Sequence, residues 1–67
     1  MKVPQHIVIL AKTYLSHGDI AKITDSSDCS RYEIQQVISG EDSTPEAIAA
    51  VAKYYTEKEE LLSDYIN

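Results

Sequence analysis

The chain is poor in the residues that mark several protein classes: its 67 residues include no Trp, no Phe, one Cys, two Gly and two Pro. The single Cys29 excludes an internal disulfide and hence a disulfide-stapled secreted protein. The longest apolar run, residues 7–11, is far shorter than the roughly 20 residues of a membrane span and is short for a signal-peptide core. We therefore expect a soluble domain in a reducing compartment, the cytoplasm, with no membrane partner.

Side chains that carry chemistry are also sparse. Cys29, His6 and His17 are too few and too scattered for a structural zinc site, and the sequence has no glycine-rich phosphate loop. No nucleophile or acid–base signature surrounds the few pairs of carboxylates. We therefore predict that the protein is not an enzyme and uses no metal or other cofactor.

Length and composition indicate one small folded domain over residues 1–67. Hydrophobic residues make up 43% and charged residues 25% of the chain, as in globular proteins. A chain of this size buries only about 60% of its unfolded surface, so its stability is thin and a partner or oligomer can contribute to it. The net charge of −5 is uneven, because residues 1–24 carry +2, residues 25–44 carry −4 and residues 45–67 carry −3. The acidic excess opposes binding to nucleic acid.

The first predicted helix runs from about Pro4 to Leu15, where apolar residues recur at helical spacing. A strand over residues 7–10 is the alternative, because that run is rich in β-branched residues. Gly18 is expected to end the helix in a left-handed conformation. The second helix is short, from Asp19 as its N-cap to about Thr24, and a polar loop over residues 25–29 follows it.

The third predicted helix, residues 30–39, opens with a capping box. Ser30 and Glu33 are spaced so that each side chain accepts a hydrogen bond from the backbone N–H of the other residue. Gly40 is placed to end the helix. One face carries a narrow apolar stripe of Ile34, Val37 and Ile38. The opposite face is polar and presents Arg31, Tyr32, Gln35, Gln36 and Ser39.

The fourth predicted helix begins with Thr44 as its cap and Pro45 as its first residue, and it continues to about Tyr65. Two apolar stripes run along it, and a small monomeric domain needs only one. The second stripe predicts a homodimer, with residues 56–67 as a dimerisation extension. The predicted interface residues are Tyr54, Leu61, Leu62, Tyr65 and Ile66. The alternative is that these residues fold back over the first helix.

Together these elements predict an all-α fold of three short helices and one long C-terminal helix, with a helix-turn-helix unit in the middle. The third helix is slim enough to enter a DNA major groove about 12 Å wide. Gln35 and Gln36 would pair with adenine edges, and Arg31 with guanine or a phosphate. Tyr32 would touch a thymine methyl or a phosphate, and Ser30 would hold a phosphate oxygen. The predicted DNA-binding residues are therefore Ser30, Arg31, Tyr32, Gln35, Gln36 and Ser39.

A family pattern is visible over residues 19–55. It consists of Ile20-Ala21-Lys22-Ile23-Thr24, of residues 30–40, of Thr44-Pro45 and of Ile48-Ala49-Ala50-Val51-Ala52. This pattern resembles the helix-turn-helix domain of the lambda-repressor/Cro-like family of bacterial and phage regulators. The resemblance implies that Ala21 packs against the third helix and that Ile34 is a core residue. It also implies that the family's base-reading positions fall on Arg31, Tyr32, Gln35 and Gln36.

The sequence departs from the family pattern at two places. The turn between Ala21 and Ser30 is about three residues longer than the tight turn of the family, as judged from the resemblance. Glu41 and Asp42 follow the third helix, where the family commonly has basic residues. The longer turn could rotate the third helix relative to the second, and the acidic pair would repel a DNA backbone.

Two functions are consistent with this pattern. The first is a small, sequence-specific DNA-binding transcriptional regulator, repressor-like and dimeric, that reads the major groove with residues 30–39. The second is an acidic helix-turn-helix module that binds a protein instead of DNA, as an adaptor or inhibitor. Under either function, Arg31 can simply pair with Glu33 or Asp28, and the two glutamines can be plain solvated residues.

Overall fold

The computed structural model describes the backbone of residues 1–66 and the side chains of residues 1–62. It contains four helices: α1 (Gln5–Tyr14), α2 (Asp19–Ser26), α3 (Arg31–Ser39) and α4 (Pro45–Ile66). The described residues include no strand, so the alternative of a strand over residues 7–10 is wrong. The structure confirms the predicted all-α fold of three short helices and one long C-terminal helix.

Helix α1 buries one face and ends earlier than predicted. Ile7 and Ala11 point into the core, as the helical spacing required. The helix stops at Tyr14 because Leu15 is extended. Gly18 is left-handed, with a φ of 89°, but it precedes α2 and does not cap α1. It is the third residue of a turn that the Asp19 N–H closes by donating to the Ser16 carbonyl (3.2 Å), a place that suits glycine.

Two predictions about helix α2 are wrong. Its N-cap is Gly18, so Asp19 is not the cap; Asp19 is the first helical residue, and its side chain is buried. The helix also continues to Ser26, two residues beyond its predicted end. The hydroxyl of Thr24 donates to the Ile20 carbonyl at 2.7 Å, so this polar residue is satisfied within the helix. The connection to α3 is therefore residues 27–30, and Asp25 and Ser26 of the predicted loop belong to the helix.

Helix α3 has the predicted ends. The Ser30 hydroxyl accepts from the Glu33 N–H (3.2 Å), and a Glu33 carboxylate oxygen accepts from the Ser30 N–H (3.2 Å). Gly40 ends the helix with a φ of 82° and donates to helix carbonyls. A left-handed residue is needed there, and a side chain other than glycine's would be strained. The Val8 side chain lies against this glycine.

Helix α4 is the long element against which the other three pack. It begins at Pro45, and the Thr44 hydroxyl accepts from the Ala47 N–H at 3.2 Å, as its cap. Its first three turns supply a large part of the core. The buried apolar residues are Val3, Ile7, Ala11, Ile23, Cys29, Ile34, Val37, Ile38, Ala47, Ile48, Val51 and Tyr55. The apolar face of α3 packs into this core, and its polar face points away from the core.

Candidate nucleic-acid interface

The outward face of α3 carries most of the predicted DNA-binding side chains. Arg31, Tyr32, Gln35 and Ser39 are exposed, whereas Ile34, Val37 and Ile38 are buried. The Tyr32 side chain is 68% exposed, which excludes a role in the core of this chain. Gln36 differs from the other predicted residues because it is half-buried at the edge of the face. The structure therefore brings Arg31, Tyr32 and Gln35 together on one free helical surface.

Ser30 lies at the N-terminus of α3 with its hydroxyl already engaged. The hydroxyl donates to Glu33 Oε1 at 3.0 Å while it accepts from the Glu33 N–H. The carboxylate of Glu33 thus stands beside this end of the helix. A phosphate oxygen at this place would meet that negative charge and a Ser30 hydroxyl that is already hydrogen-bonded.

Within residues 1–62, no carboxylate forms an ion pair with the guanidinium of Arg31. Among residues 1–62, the one ion pair joins Lys58 to Asp19, so Arg31 pairs with neither Glu33 nor Asp28. The Glu33 carboxylate is instead occupied by Ser30 and Thr44 hydroxyls. Arg31 therefore keeps its charge and its planar set of donors for a ligand.

Glu33 joins the beginnings of α3 and α4. Its Oε1 accepts from Ser30, and its Oε2 accepts from the Thr44 hydroxyl at 3.1 Å. The Ser43 hydroxyl adds a bond to the Glu33 carbonyl at 3.1 Å. The hydrogen bond from the Ser30 N–H, followed by those from the Ser30 and Thr44 hydroxyls, lowers the pKa of the Glu33 carboxyl. Glu33 stays ionised at neutral pH and fixes how α3 is presented relative to α4.

The acidic pair after α3 lies at the far end of the candidate surface. Glu41 and Asp42 are exposed, and they follow the C-terminus of the helix. At 1.5 Å per residue, about 12 Å of helix axis separates Arg31 from Ser39, and Glu41 lies beyond Ser39. This distance exceeds the Debye length of about 10 Å at 0.1 M salt, so the charges of Glu41 and Asp42 are largely screened at the Arg31 end.

A buried carboxylate holds the N-terminus of α2 against α4, and the sequence pattern did not reveal it. Asp19 is 2% exposed and accepts from the Tyr54 hydroxyl (2.8 Å), the Tyr55 hydroxyl (3.1 Å) and the Lys58 ammonium (2.8 Å). The Ser16 N–H (2.9 Å) and hydroxyl complete its shell. We call these five residues, Ser16, Asp19, Tyr54, Tyr55 and Lys58, the Asp19 cluster. The partners on α4 follow Asp19 by 35 to 39 residues in the sequence, which is too far for any local motif.

Besides pairing with Asp19, Lys58 contacts the end of α1. Its ammonium donates to the Tyr14 carbonyl at 2.8 Å, in the last turn of α1, and to the Ser16 hydroxyl at 2.6 Å. A cation at the C-terminus of a helix interacts favourably with the helix dipole. One side chain of α4 therefore closes the end of α1 and pairs with the start of α2.

The Asp19 cluster shifts the titration of its members in opposite directions. Burial alone would raise the pKa of Asp19, but hydrogen bonds from Lys58, Tyr54, Ser16 and Tyr55 outweigh burial and hold that pKa well below its usual range. Burial and the nearby Asp19 carboxylate raise the pKa of Tyr54 to about 12. Burial and the same charge also raise the pKa of Tyr55. At neutral pH the cluster is one carboxylate facing two neutral phenols and one ammonium.

The predicted dimer residues fall into three groups. Tyr54 is half-buried, and its hydroxyl is committed to Asp19. Leu61 and Leu62 are 71% and 40% exposed, so they do not fold back over α1. The side chains of Tyr65 and Ile66 lie outside the described residues, although α4 itself reaches Ile66.

The described part of the chain offers no other constellation of reactive side chains. Among those residues, no three His, Cys, Asp or Glu side chains gather in a way that could hold a metal ion. None of the described helices combines the length and the apolar character needed to cross a bilayer. No protein-family model, curated protein or solved structure matches the chain significantly.

Proposed function

We propose that the protein is a small DNA-binding transcriptional regulator of the lambda-repressor/Cro-like kind, which reads the major groove with α3. The observation that carries the proposal is the free polar face of α3, where Arg31, Tyr32 and Gln35 are exposed on a capped helix. A helix that is buried on one stripe and polar on the other can enter a major groove. The unpaired state of Arg31 within residues 1–62 adds support.

The exposed side chains match known base-edge chemistry. Arg31 can donate two parallel bonds to guanine O6 and N7, and Gln35 can bond adenine N6 and N7. Tyr32 can contact a thymine methyl group or a phosphate. Gln36 lies at the edge of this surface and Ser39 at its C-terminal end, so they would act on the flanking base pair or the backbone.

Charge limits how strongly the protein can hold DNA without base contacts. The ammonium of Lys58 is paired with Asp19, so it contributes little attraction. If three phosphates are neutralised by other basic residues, log K falls with log salt at a slope of about −2.7. We propose that binding is weak on random DNA and depends on the base contacts of α3.

The test is fluorescence anisotropy on a duplex selected from a random library at about 50 mM salt, a concentration at which phosphate contacts are strong. Gln35→Ala removes one bidentate pair, worth about 1–3 kcal/mol, so we expect at least a fivefold weaker affinity. Gln5→Ala is the matched control, because Gln5 is an exposed glutamine on α1. Equal affinities of the two variants, or a wild type that selects no duplex, would overturn the proposal.

A second function is favoured by the acidic surface. Residues 25–67 carry a charge of −7, and Glu41 and Asp42 are exposed beside α3. Under this proposal the chain is an interaction module that binds a basic protein and not DNA. Capture of a protein that survives nuclease treatment, together with no retained duplex, would favour it over the first function.

We further propose that two copies act together in the cytoplasm. A dimer would place two α3 helices at half-sites about 34 Å apart, one turn of the double helix. The exposed Leu61 and Leu62 support self-association. The buried free thiol of Cys29 is compatible with a reducing compartment.

A further inference from the structure

A groove runs between the α1–α2 turn and α4, on the surface of the Asp19 cluster. Its volume is about 360 Å³. The residues that line it are Ser16, Asp19, Lys22, Tyr54, Glu57, Lys58 and Leu61. Asp19 and Lys58 form part of its wall, and their charges are already paired with each other. The charged side chains that form no ion pair within residues 1–62 lie at the two edges of the groove.

The two edges have opposite charge. Lys22 stands on the α2 side and Glu57 on the α4 side, and both are exposed. Within residues 1–62 these two side chains form no ion pair, with each other or with a neighbour. One edge is therefore basic and the other acidic, and both charges are available to a ligand.

Apolar side chains line this groove and an adjoining one. Leu61, the most exposed large apolar residue of the described chain, lines it on α4. An adjoining groove of about 440 Å³ shares Ser16 and is lined by the half-exposed Leu15 and by Ile20. The two adjoining grooves thus present Leu15 and Leu61 on the same surface as the charges of Lys22 and Glu57.

We propose that this groove is the surface on which a second copy of the chain docks, with two-fold symmetry. In a two-fold interface the same patch faces itself, so residue i of one copy meets residue j of the other and the reverse. A patch with one basic and one acidic edge is complementary to itself under that operation. Lys22 of each copy meets Glu57 of the other, and the exposed leucines pack between the two ion pairs.

The groove is the contact surface of the dimer proposed above, and it adds residues of α2 and of the α1–α2 turn to the interface. None of the outward side chains of α3 lines either groove. The docked dimer therefore keeps Arg31, Tyr32 and Gln35 free for another ligand. The interface does not depend on what α3 binds.

The test is sedimentation equilibrium of the full chain without DNA, from about 10 to 500 μM, because a small interface of this kind forms weak dimers. We expect a monomer–dimer equilibrium in wild type. K22E and E57K should each weaken dimerisation at least tenfold, because each places like charges at both ion pairs. The double variant K22E/E57K should restore dimerisation, because the reversed charges still complement each other.

Two controls separate the interface from other effects. K2E makes the same charge change at an exposed lysine outside both grooves, and Ile9→Ala is matched to Leu61→Ala as an exposed apolar site. Both control variants should dimerise as wild type does, and Leu61→Ala should dimerise more weakly. Helical circular dichroism verifies that each variant is folded.

A wild type that stays monomeric at 500 μM would overturn the inference. So would a double charge reversal that fails to restore dimerisation lost in both single variants. Gln35→Ala should leave sedimentation unchanged while it weakens DNA binding. A failure of the DNA proposal and a failure of the interface are therefore distinguishable.

Discussion

Replacing Asp19 by asparagine is the sharpest perturbation of the Asp19 cluster. Asn has nearly the same shape as Asp, so the core around it is not opened. It removes the negative charge, and it turns one acceptor oxygen into an NH₂ donor. If the NH₂ takes the place of Oδ2, the Lys58 ammonium, the Ser16 N–H and the Tyr55 hydroxyl lose their acceptor. If it takes the place of Oδ1, the Tyr54 hydroxyl loses its acceptor.

The structure sets the size of the expected effect. Removing one partner of a buried ion pair costs about 3–5 kcal/mol. The side chain of Lys58 is 24% exposed, so water can partly replace the lost carboxylate, and we expect the lower limit of about 3 kcal/mol. A domain of this length has a free energy of unfolding of about 3–10 kcal/mol, so the loss is a large part of the total.

Urea unfolding followed by circular dichroism measures this loss. With a slope of about 1 kcal/mol/M for a small domain, the midpoint should fall by about 3 M. Asp25→Asn is the matched control, because Asp25 is exposed on the same helix, and its effect should stay within about 0.5 kcal/mol. Equal midpoints for the two variants would refute the assigned role of Asp19.

The pH dependence gives an independent check of the same reasoning. The pKa of Asp19 is lower in the folded than in the unfolded chain, so below about pH 4 the unfolded chain binds more protons. The stability from Asp19 is therefore present above about pH 4 and is lost as the pH falls toward the folded pKa. The difference in stability between wild type and Asp19→Asn should shrink over that range. A constant difference from pH 7 to pH 2 would contradict the assignment.

Four other changes test separate parts of the fold. Tyr54→Phe removes a hydrogen bond to a charged acceptor and should cost about 1.5 kcal/mol at pH 7. Since the pKa of Tyr54 is raised to about 12, that stability is present below about pH 10 and lost toward pH 12, where urea titrations of the two proteins should converge. Gly40→Ala should cost about 1 kcal/mol in thermal unfolding, and Gly18→Ala about the same, because both glycines have positive φ and neither added Cβ clashes. Ile34→Val should cost about 1 kcal/mol in the same assay, whereas Ile9→Val, at a site that is 56% exposed, should have little effect.

Local signals predicted the ends of α3 and the start of α4 correctly. The bonds between Ser30 and Glu33, and the cap at Thr44 before Pro45, involve residues no more than three apart. Such interactions can be recognised from spacing alone, because they depend on little beyond the helix itself. The free polar face of α3 followed from the same helical period.

The extent of α2 and the role of Asp19 could not be predicted in this way. Asp25 and Ser26 are common loop residues, yet α2 continues through both, and the Ser26 hydroxyl donates to the Ile23 carbonyl at 3.2 Å. Asp19 stands where an N-cap is expected, but its partners Tyr54, Tyr55 and Lys58 come from a helix far along the chain. Only the packing of α4 against α2 brings those groups together, and no local pattern reports it.

The central claim is that the outward face of α3 contacts DNA. It is tested most directly by following the backbone amides of the ¹⁵N-labelled protein in NMR spectra, as the selected duplex is added. We expect the largest shifts on residues 31–39, and smaller shifts around residues 57–62, where the proposed dimer interface lies. Shifts that leave residues 31–39 unaffected, or a spectrum that the duplex leaves unchanged, would contradict this claim.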